Sequence, residues 1–475
     1  MLDMPDISVV DSERKVYIPD SSVIFHDPTF PKYFKENDIH ISAGVFGEVD
    51  RKKTEPGFVG ESAREFSRYL EALSRNNGKL SEGVVYSTEG GRFFLDYEES
   101  MKTPYGLRLF DLGSTDIGLI VLATYLKEVP ENKGKKVVIV SKDRNLRTLA
   151  REFGAIAEDY KTDRVEEKDI YTGILYLDET LEDGMGFMDK MHFKKLKKRA
   201  GKRAKDQSEQ PIELYKNQYF VDKTGDVYRE RAGRICRISE PRSYKIKPRN
   251  HEQFCALDAL LDPEIQLVTL FGAAGTGKTL LAIDAGVKQI FSRDKKSVYD
   301  RFHISRPIVP MGNDIGFLPG REGDKLDPWI RPIKDSFLVI GSDVPKDKFD
   351  GGYQRIHKTS KSRNPLLEEL QSRDLIEIEA LTYIRGRSIP NQYIIIDEAQ
   401  NLTPHEVKTI LTRASEGTKV ILTGDLYQID RRFLDASSNG LSYVIGRFKG
   451  YSGYANIGFR DVVRSRLAAE AAKRL

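Results

Sequence analysis

One glycine-rich segment strongly limits what this chain can fold into. It runs from Gly272 to Thr279 with the spacing G-x-x-x-x-G-K-T, and an apolar run from Ile265 to Phe271 leads into it. The glycines allow several backbone N–H groups to turn toward one point, which is how a loop between a strand and a helix holds phosphate groups. The segment predicts an α/β domain that binds a nucleoside triphosphate. The alternative, a flexible glycine turn, is disfavoured by the complete spacing after a strand-like run.

The residues of this loop have separate expected roles. Lys278 adds a cation at the β- and γ-phosphates, and the Thr279 hydroxyl can ligate Mg²⁺. The helix that we expect to begin at Lys278 directs its positive end at the same phosphates. The predicted nucleotide-binding residues of the loop are Gly272, Ala273, Ala274, Gly275, Thr276, Gly277, Lys278 and Thr279.

Length and patterning divide the chain into three predicted domains. At 475 residues and 54.0 kDa the chain is too long for one ordinary core. Strand-like and helical patterns alternate over residues 1–174 and again over 249–475, which is typical of parallel sheets. Residues 175–248 instead combine a basic run with short strand-like pieces, so we predict a linker with a small β-module there.

Charge is balanced over the whole chain but uneven along it. The 76 Lys and Arg residues against 72 Asp and Glu residues leave a net charge of +4, which does not by itself argue for a polyanionic partner. Between Lys190 and Lys205, however, nine residues are basic and none is acidic. Such a run suits either phosphate contacts or a solvated linker, and the sequence favours neither.

The sequence gives no sign of export or membrane insertion. No stretch approaches about 18 consecutive apolar residues, and the first residues lack the basic flank and apolar run of a signal peptide. The two cysteines, Cys236 and Cys255, are too few for a disulfide framework or a structural zinc site. We therefore expect a cytoplasmic protein without a membrane partner.

Acidic residues follow a second strand of the predicted C-terminal domain. The apolar run from Tyr393 to Ile396 leads directly into Asp397 and Glu398. A carboxylate at a strand end near the phosphate loop supplies a second Mg²⁺ contact, for which Asp397 is the candidate, and Glu398 can orient and deprotonate the attacking water. The next strand ends near Gln428, which could sense the γ-phosphate.

These motifs, with several others, resemble the PhoH family of ATPases from about Asn250 onward. The shared segments are Asn250–Gln253, the phosphate loop, Ser305–Pro307, Gly316–Gly320, Lys325–Pro328, Arg331–Pro332, Ile384–Ser388, Asp397–Asn401 and Gly424–Asp425. The resemblance implies a RecA-like fold with ATP and Mg²⁺ as cofactors, and it places Asn250 and Gln253 near the adenine. It also makes Arg306, Arg385 and Arg387 candidates for RNA contact or for sensing a neighbouring subunit's nucleotide.

Chain length also predicts an assembly. Helicases of superfamily 1 have a similar acidic motif and place an arginine from a second lobe on the γ-phosphate, but only 197 residues run from Thr279 to the end. The arginine that contacts the γ-phosphate must then come from the same lobe or from a neighbouring subunit. Arg460 and Arg464 are candidates, and Arg464 matches the arginine near the end of the PhoH core. We expect a homo-oligomeric ring, with a hexamer as the preferred number.

The N-terminal block carries four acidic residues at strand ends and helix starts. Asp20 and Asp143 each follow a strand, Asp116 begins an apolar helix, and Glu48 lies in the segment from Val45 to Lys53. In a parallel sheet such acids can converge in one crevice, where a like-charge cluster persists mainly by holding divalent cations. That arrangement suits metal-dependent nuclease chemistry. The structural alternative is that Asp commonly caps strand ends in turns and that a surface Glu is ordinary.

Roughly Lys15 to Gly173 resembles a PIN domain of the kind fused to PhoH motors. The segments that carry the resemblance are Tyr17–Ser22, Glu48–Asp50, Thr115–Asp116, Ser141–Arg147 and Glu158–Tyr160. It implies that Asp20, Glu48, Asp116 and Asp143 bind Mg²⁺ or Mn²⁺, with Asp50 and Asp111 in reserve. Thr115 stands where Asn is common and Gly47 where an acid is frequent, and neither departure removes a metal candidate.

Three functional hypotheses remain open at this point. The preferred one is an ATP-driven, helicase-like RNA-remodelling ring that feeds single-stranded or partly duplex RNA to a metal-dependent endoribonuclease. The second keeps the ATPase and makes the N-terminal block a non-catalytic RNA-binding module. The third is a P-loop kinase, which Glu398 disfavours because a water-orienting acid would hydrolyse ATP wastefully.

Overall fold

The computed structural model describes residues 14–96, 115–160, 170–186, 214–291, 297–307, 322–341, 364–381 and 390–460, apart from positions 56, 179, 182, 184, 432 and 433. The chain forms two compact units, Met1–Asp163 and Arg164–Leu475. No helix in the described ranges has both the length and the apolar character to cross a bilayer.

The first unit contains a six-stranded sheet. Its strands are β1 (Val16–Pro19), β2 (Asp38–Ser42), β3 (Val84–Val85), β4 (Arg92–Asp96), β5 (Val137–Val140) and β6 (Ile156–Glu158). Their order is β3-β4-β2-β1-β5-β6, and all neighbours are parallel except β3 and β4. The predicted parallel sheet is therefore present, with the two predicted strands β1 and β5 at its centre.

Five helices pack around this sheet within the described ranges. They are α1 (Ser21–His26), α2 (Ala43–Lys52), α3 (Phe58–Asn77), α4 (Thr115–Glu128) and α5 (Arg144–Glu152). Asp20, Ser42 and Asp143 accept hydrogen bonds at the N-termini of α1, α2 and α5, directly after β1, β2 and β5. Because parallel strands end at one edge of a sheet, these short connections bring three helix starts to the same edge.

The second unit is built on six parallel strands. They are β12 (Leu267–Gly272), β13 (Arg301–Arg306), β14 (Ile376–Ala380), β15 (Gln392–Ile396), β16 (Lys419–Gly424) and β17 (Tyr454–Phe459). Their order is β14-β13-β15-β16-β12-β17. The accompanying helices are α6 (His251–Leu261), α7 (Lys278–Ile290), α8 (Glu322–Gly341), α9 (Pro365–Ser372), α10 (Pro404–Leu411) and α11 (Gly440–Arg447).

A smaller sheet belongs to the same unit. It consists of β7 (Ile174–Tyr176), β8 (Met185–Gly186), β9 (Tyr219–Val221), β10 (Val227–Arg231) and β11 (Arg234–Arg237), in the order β7-β9-β10-β11-β8. Tyr219, Val221 and Val227 are buried in the same apolar cluster as residues of α6, α7 and β12. The small sheet therefore shares a core with the large one, because apolar residues on one face are buried only by packing against a neighbour.

A buried lysine lies beside this shared core. Lys419 begins β16, and its ammonium donates to the carbonyl oxygens of Ala259 at 2.8 Å and Asp262 at 2.7 Å. Burial lowers the pKa of Lys419 to about 7, although Asp262 opposes that shift. The folded state thus binds this proton more weakly than the unfolded chain, where the pKa is near 10.5.

This shift predicts how stability depends on pH. Between pH 7 and 10.5 the unfolded state carries the Lys419 proton and the folded state largely does not, so stability rises with pH in that window. We expect the free energy of unfolding of the parent, relative to Lys419→Met, to increase by about 2 kcal/mol from pH 7 to pH 9. Urea unfolding of both proteins across this range measures the difference. If the free energy of unfolding of the parent relative to Lys419→Met is the same at pH 7 and pH 9, the pKa of Lys419 is not lowered in the folded state.

Candidate nucleotide site and carboxylate cluster

The predicted strand, loop and helix of the phosphate-binding segment are all present. β12 leads into the loop and α7 begins at Lys278. Gly275 and Gly277 have φ angles of 84° and 93°, which side chains disfavour. A Cβ added at Gly272 would lie 2.5 Å from the carbonyl oxygen of Phe459. The backbone therefore requires glycine at all three positions.

Lys278 is buried with its ammonium turned onto the loop. Its Nζ donates to the carbonyl oxygens of Gly272 at 2.6 Å and Ala273 at 3.0 Å, and it lies 3.4 Å from the Thr276 hydroxyl. The positive charge of Lys278 is therefore held against the backbone of the phosphate loop. Phosphate oxygens are stronger acceptors than these carbonyls because they are ionised.

A buried carboxylate connects the helix after the loop to two strands. Asp397 follows β15, and its Oδ1 accepts from the hydroxyls of Thr279 at 2.8 Å and Thr423 at 2.6 Å. No residue in the described ranges donates to the other carboxylate oxygen. Although β16 lies between β12 and β15, the carboxylate still reaches α7. A hydroxyl beside a carboxylate is a donor set that suits Mg²⁺.

Glu398 is held in a constrained conformation beside Asp397. Its backbone adopts φ 56° and ψ 41°, a left-handed conformation that costs a non-glycine residue about 1 kcal/mol or more. Arg306 donates to Oε1 at 2.9 Å and Gln400 donates to Oε2 at 2.6 Å. Burial, followed by Asp397, raises the pKa of Glu398, while Gln400, Arg306 and Lys278 oppose the increase. A carboxylate with a raised pKa is a stronger base for a water proton.

Gln400 joins Glu398 to the loop after β16. Its buried amide nitrogen donates to Glu398 and, at 2.9 Å, to the carbonyl oxygen of Gln428. Its amide oxygen accepts from the backbone N–H of Asp425 at 3.1 Å. The backbone carbonyl of Gln428 is thus linked through Gln400 to Glu398, whereas the sequence motif predicted a role for the Gln428 side chain. That side-chain role stays a prediction.

The two residues predicted near the adenine lie directly beside the phosphate loop. The Asn250 side chain caps α6 by accepting from the backbone N–H of Gln253 at 2.9 Å. Gln253 is buried, donates to the Thr276 carbonyl at 3.1 Å and accepts from the Arg249 N–H at 2.9 Å. Both residues therefore support the loop, and contact with a base stays a prediction.

The predicted arginines are only partly described. Arg306 ends β13 and pairs with Glu398, and exposed Arg460 follows β17, with its backbone N–H donating to Glu252 at 3.1 Å. Arg385, Arg387 and Arg464 lie outside the described residues, as do Asp111 and the basic run from Lys190 to Lys205.

The first unit brings its four predicted metal ligands within electrostatic range of one another. Asp116 lies in the first turn of α4, and its pKa is raised by burial and then by Asp20, Asp143 and Glu48. Lys142 and Arg147, which lie close to Asp143 in the sequence, pair with Asp159. The cluster therefore carries an excess of negative charge, which a divalent cation would neutralise.

Two of these acids also stabilise helix starts. Asp20 accepts from the Ser21 N–H at 2.7 Å, the Ser22 hydroxyl at 2.6 Å and the Ser141 hydroxyl at 2.9 Å. Asp143 accepts from the Asn145 N–H at 2.7 Å. These bonds fix the carboxylates at the strand ends, as the structural alternative from the sequence also expected.

The four carboxylates are chemically suited to bind a hard cation, but they lie too far apart to coordinate one. Carboxylate oxygens are the ligands that Mg²⁺ and Mn²⁺ prefer. Within the described ranges, no three Asp, Glu, His or Cys side chains lie close enough to hold an ion in their present positions. Asp50, the reserve ligand, is exposed and pairs with Lys53 at 2.7 Å. Binding a cation would therefore require the four carboxylates to move closer.

Comparison with known proteins agrees with the two halves of the structure. The model of the PhoH-like protein family matches residues 245–475, and a PIN domain model matches residues 17–161. Protein PhoH2 of Bacillus subtilis (strain 168) is 37% identical over 479 residues, covering 96% of this chain and 99% of the relative. The chain belongs to the PhoH family. It is a PhoH-like ATPase with a PIN domain at its N-terminus.

A second relative also aligns with this chain along nearly its whole length. Protein PhoH2 of Thermobispora bispora is 29% identical over 464 residues, with 96% of each chain covered. Among solved structures, a domain of a functionally unknown protein from Methanocaldococcus jannaschii is 18% identical and covers 32% of this chain and 94% of its own, with a TM-score of 0.21. That score is too low to support a functional argument.

The ion pair in the PhoH domain predicts a shift in the pH dependence of hydrolysis. Arg306 lowers the pKa of Glu398, so Arg306→Met should raise that pKa further and move the acidic limb of the kcat profile to higher pH. ATP hydrolysis measured across pH provides the test. Arg301→Met, which changes an arginine at the other end of β13, is the control and should leave the limb in place. If the acidic limb of Arg306→Met stays at the pH of the parent or moves to lower pH, Arg306 does not control the pKa of Glu398.

The carboxylate cluster in the PIN domain predicts a metal-dependent change in stability. Because the pKa of Asp116 is raised, ionising it at neutral pH costs folded-state stability, and Asp116→Asn should raise the melting temperature without metal by a few degrees. Mn²⁺ should stabilise the parent and have a much smaller effect on the variant. Thermal melts with EDTA and with Mn²⁺ measure both effects. Equal stabilisation of the two proteins by Mn²⁺ would exclude Asp116 as a ligand.

Proposed function

We propose that the chain is an ATP-driven, helicase-like RNA-remodelling motor coupled to a metal-dependent endoribonuclease. The observation that carries the proposal is the presence of two different sites: the phosphate loop in the second unit and the carboxylate cluster around Asp116 in the first. The substrate would be single-stranded or partly duplex RNA. Mg²⁺ would serve the motor, and Mg²⁺ or Mn²⁺ would serve the nuclease.

The contacts at the phosphate loop support specific roles in ATP hydrolysis. The loop amides and Lys278 would bind the phosphates, and Thr279 with Asp397 would hold Mg²⁺. Bound Mg²⁺ would neutralise charge that develops on the phosphates. Glu398 would accept a proton from the attacking water, since its raised pKa suits a base and its carboxylate lies beside Asp397. Gln428 would respond to the γ-phosphate through the loop that Gln400 fixes.

In the PIN domain, Asp20, Glu48, Asp116 and Asp143 would hold the metal. Bound cations would activate water and stabilise charge during phosphodiester cleavage. The chain itself would position the carboxylates through Ser22, Ser141 and the starts of α1 and α5. The like-charge repulsion that raises the pKa of Asp116 supports this assignment, because a cation would relieve it.

The assembly that we propose is a cytoplasmic homo-oligomeric ring, most simply a hexamer. Arg464 of one subunit would then stabilise the γ-phosphate in the next, as an arginine finger does. Residues 1–174 would form the nuclease domain, 175–248 the linker with its β-module, and 249–475 the motor. Motor-driven movement would deliver single strands to the nuclease.

One observation favours the alternative of a non-catalytic RNA-binding N-terminal module. Both oxygens of Asp20 already accept hydrogen bonds from neighbouring groups, as a purely structural carboxylate would. The two hypotheses differ in whether RNA is cut, so cleavage separates them.

Two substitutions test the two activities in the full chain. Asp20→Asn keeps a side chain that caps helices but removes the charge, so it should reduce RNA cleavage to background and leave ATP hydrolysis unaffected. Glu398→Gln should lower ATP hydrolysis by about 100-fold or more. A labelled RNA incubated with Mg²⁺ or Mn²⁺, together with phosphate release from ATP, measures both.

Glu71→Gln, which neutralises an exposed acid on α3, is the matched control for the nuclease arm. RNA that stays intact with the parent under every metal condition would refute the nuclease and favour the binding module. Transfer of labelled phosphate to an acceptor, in place of release, would instead support a kinase.

A further inference from the structure

The segment that contains most of the small sheet is strongly basic. Residues 214–250 hold ten Lys and Arg residues against four Asp and Glu residues, an excess that is larger than the net charge of the whole chain. Most of these basic side chains are exposed, including those of Arg234 and Arg242. A local excess of positive charge of this size attracts polyanions.

The hairpin of β10 and β11 places like charges opposite each other. Arg231 on β10 pairs in register with Arg234 on β11, and Arg237 pairs with Tyr228. Arginines directly opposite on neighbouring strands repel, so this arrangement costs stability unless an anion offsets it. The end of the hairpin is therefore suited to bind an anion.

A groove of about 650 Å³ lies between this hairpin and the end of α6. Three arginines line it, Arg231, Arg237 and Arg242, together with the Ser239 hydroxyl and an apolar surface that includes Leu261. Guanidinium groups match phosphate oxygens with paired donors, and an apolar floor can pack against sugar or base.

Three acids also line the groove, exposed Glu240 and the pair Asp258 and Asp262, and a different arginine neutralises that pair. Arg229 is buried, donates to Asp258 at 2.7 Å and also pairs with Asp262. Arg231 is 45% exposed and reaches the same acids only at 3.3 and 3.7 Å. Exposed pairs of this kind contribute little, so Arg231 can exchange them for a phosphate at small cost.

We propose that this groove binds the phosphate backbone of single-stranded RNA. The inference builds on the proposed function by naming a surface through which the motor holds its substrate. RNA is the occupant that the surface favours over an acidic peptide or an anionic lipid, because arginines and apolar residues line the same groove. Repeated phosphates joined by sugars match that shape.

The groove is firmly attached to the motor. The Asn217 amide donates to the carbonyl oxygens of Ser452 at 2.6 Å and Tyr454 at 3.1 Å, and the Tyr219 hydroxyl donates to Asp258 at 2.9 Å. RNA held in the groove would therefore be fixed to the sheet that carries the nucleotide site.

The chain leaving the groove also reaches the helix after the phosphate loop. Buried Asp284 on α7 accepts from the backbone N–H groups of Tyr244 at 3.2 Å, Lys245 at 2.9 Å and Ile246 at 3.2 Å. A displacement of this segment by RNA would act directly on α7, which begins at Lys278. The nucleotide site and the groove are therefore linked through one short segment.

The test is a charge reversal at Arg242, which lines the groove, and Arg234, which lies opposite the groove residue Arg231 on the hairpin; neither makes an ion pair within the described ranges. Arg234→Glu combined with Arg242→Glu should weaken binding of a fluorescein-labelled oligouridylate by roughly 10-fold at low salt. The slope of log affinity against log salt should fall by about 2, since two phosphate contacts are lost. Fluorescence anisotropy in EDTA, which prevents cleavage, measures both in the full chain.

Three controls accompany the measurement. Arg234→Lys combined with Arg242→Lys keeps the charge and should retain most of the slope of log affinity against log salt. Arg75→Glu reverses an arginine that is 74% exposed on α3 of the PIN domain and should bind like the parent. Equal melting temperatures establish that the double variant is folded.

The outcomes separate this proposal from the broader function. If the parent binds RNA and the double Glu variant binds it equally well, the groove assignment is overturned while the motor proposal stands. If the variant loses binding only to phosphatidylglycerol vesicles or to polyglutamate, the groove serves a different anion and the RNA assignment is also overturned. A parent that binds no RNA would defeat both proposals.

Discussion

The nucleotide site depends on one buried carboxylate that accepts from two threonine hydroxyls. Asp397 joins Thr279, at the start of α7, to Thr423, at the end of β16. Because an unpaired carboxylate in this environment would be costly, the two hydroxyls fix the relative positions of helix and strands before any nucleotide binds. The phosphate loop, Lys278 and the strained backbone of Glu398 are all arranged around this contact.

The carboxylate cluster of the PIN domain presents the opposite electrostatic situation. Asp397 has donors nearby, whereas burial raises the pKa of Asp116 and three other carboxylates raise it further. The hydrogen bonds of Asp20 and Asp143 hold the cluster at the edge of the sheet despite the repulsion. Folding thus maintains a site of high negative potential, which is the physical requirement for selecting divalent cations.

Sequence predicted the features that depend on local patterns. The glycine spacing predicted the loop and the start of α7 at Lys278, and the apolar runs predicted β1, β5, β15 and β16. It also placed Asp20 and Asp143 at strand ends. These features succeed because strand periodicity, glycine conformation and helix capping are set by residues close together in the chain.

Features that depend on long-range packing could not be predicted in this way. The pairing of Arg306 with Glu398 joins residues 92 positions apart, and Gln400 reaches a loop 28 residues later. The buried contact of Arg229 with α6 likewise places the β-module in the core of the PhoH domain, although its sequence is typical of a linker module. Arg229 gives no sequence signal that separates it from the exposed arginines around it, because only the fold decides which arginine is buried.

The central proposal is that the chain binds divalent cations at two sites, one beside the phosphate loop and one among the carboxylates of the PIN domain. Anomalous diffraction from crystals grown with Mn²⁺ and a non-hydrolysable ATP analogue tests it most directly. The account predicts one manganese peak between Thr279 and Asp397 and at least one among Asp20, Glu48, Asp116 and Asp143. A peak at the nucleotide site with none among the four acids would contradict it.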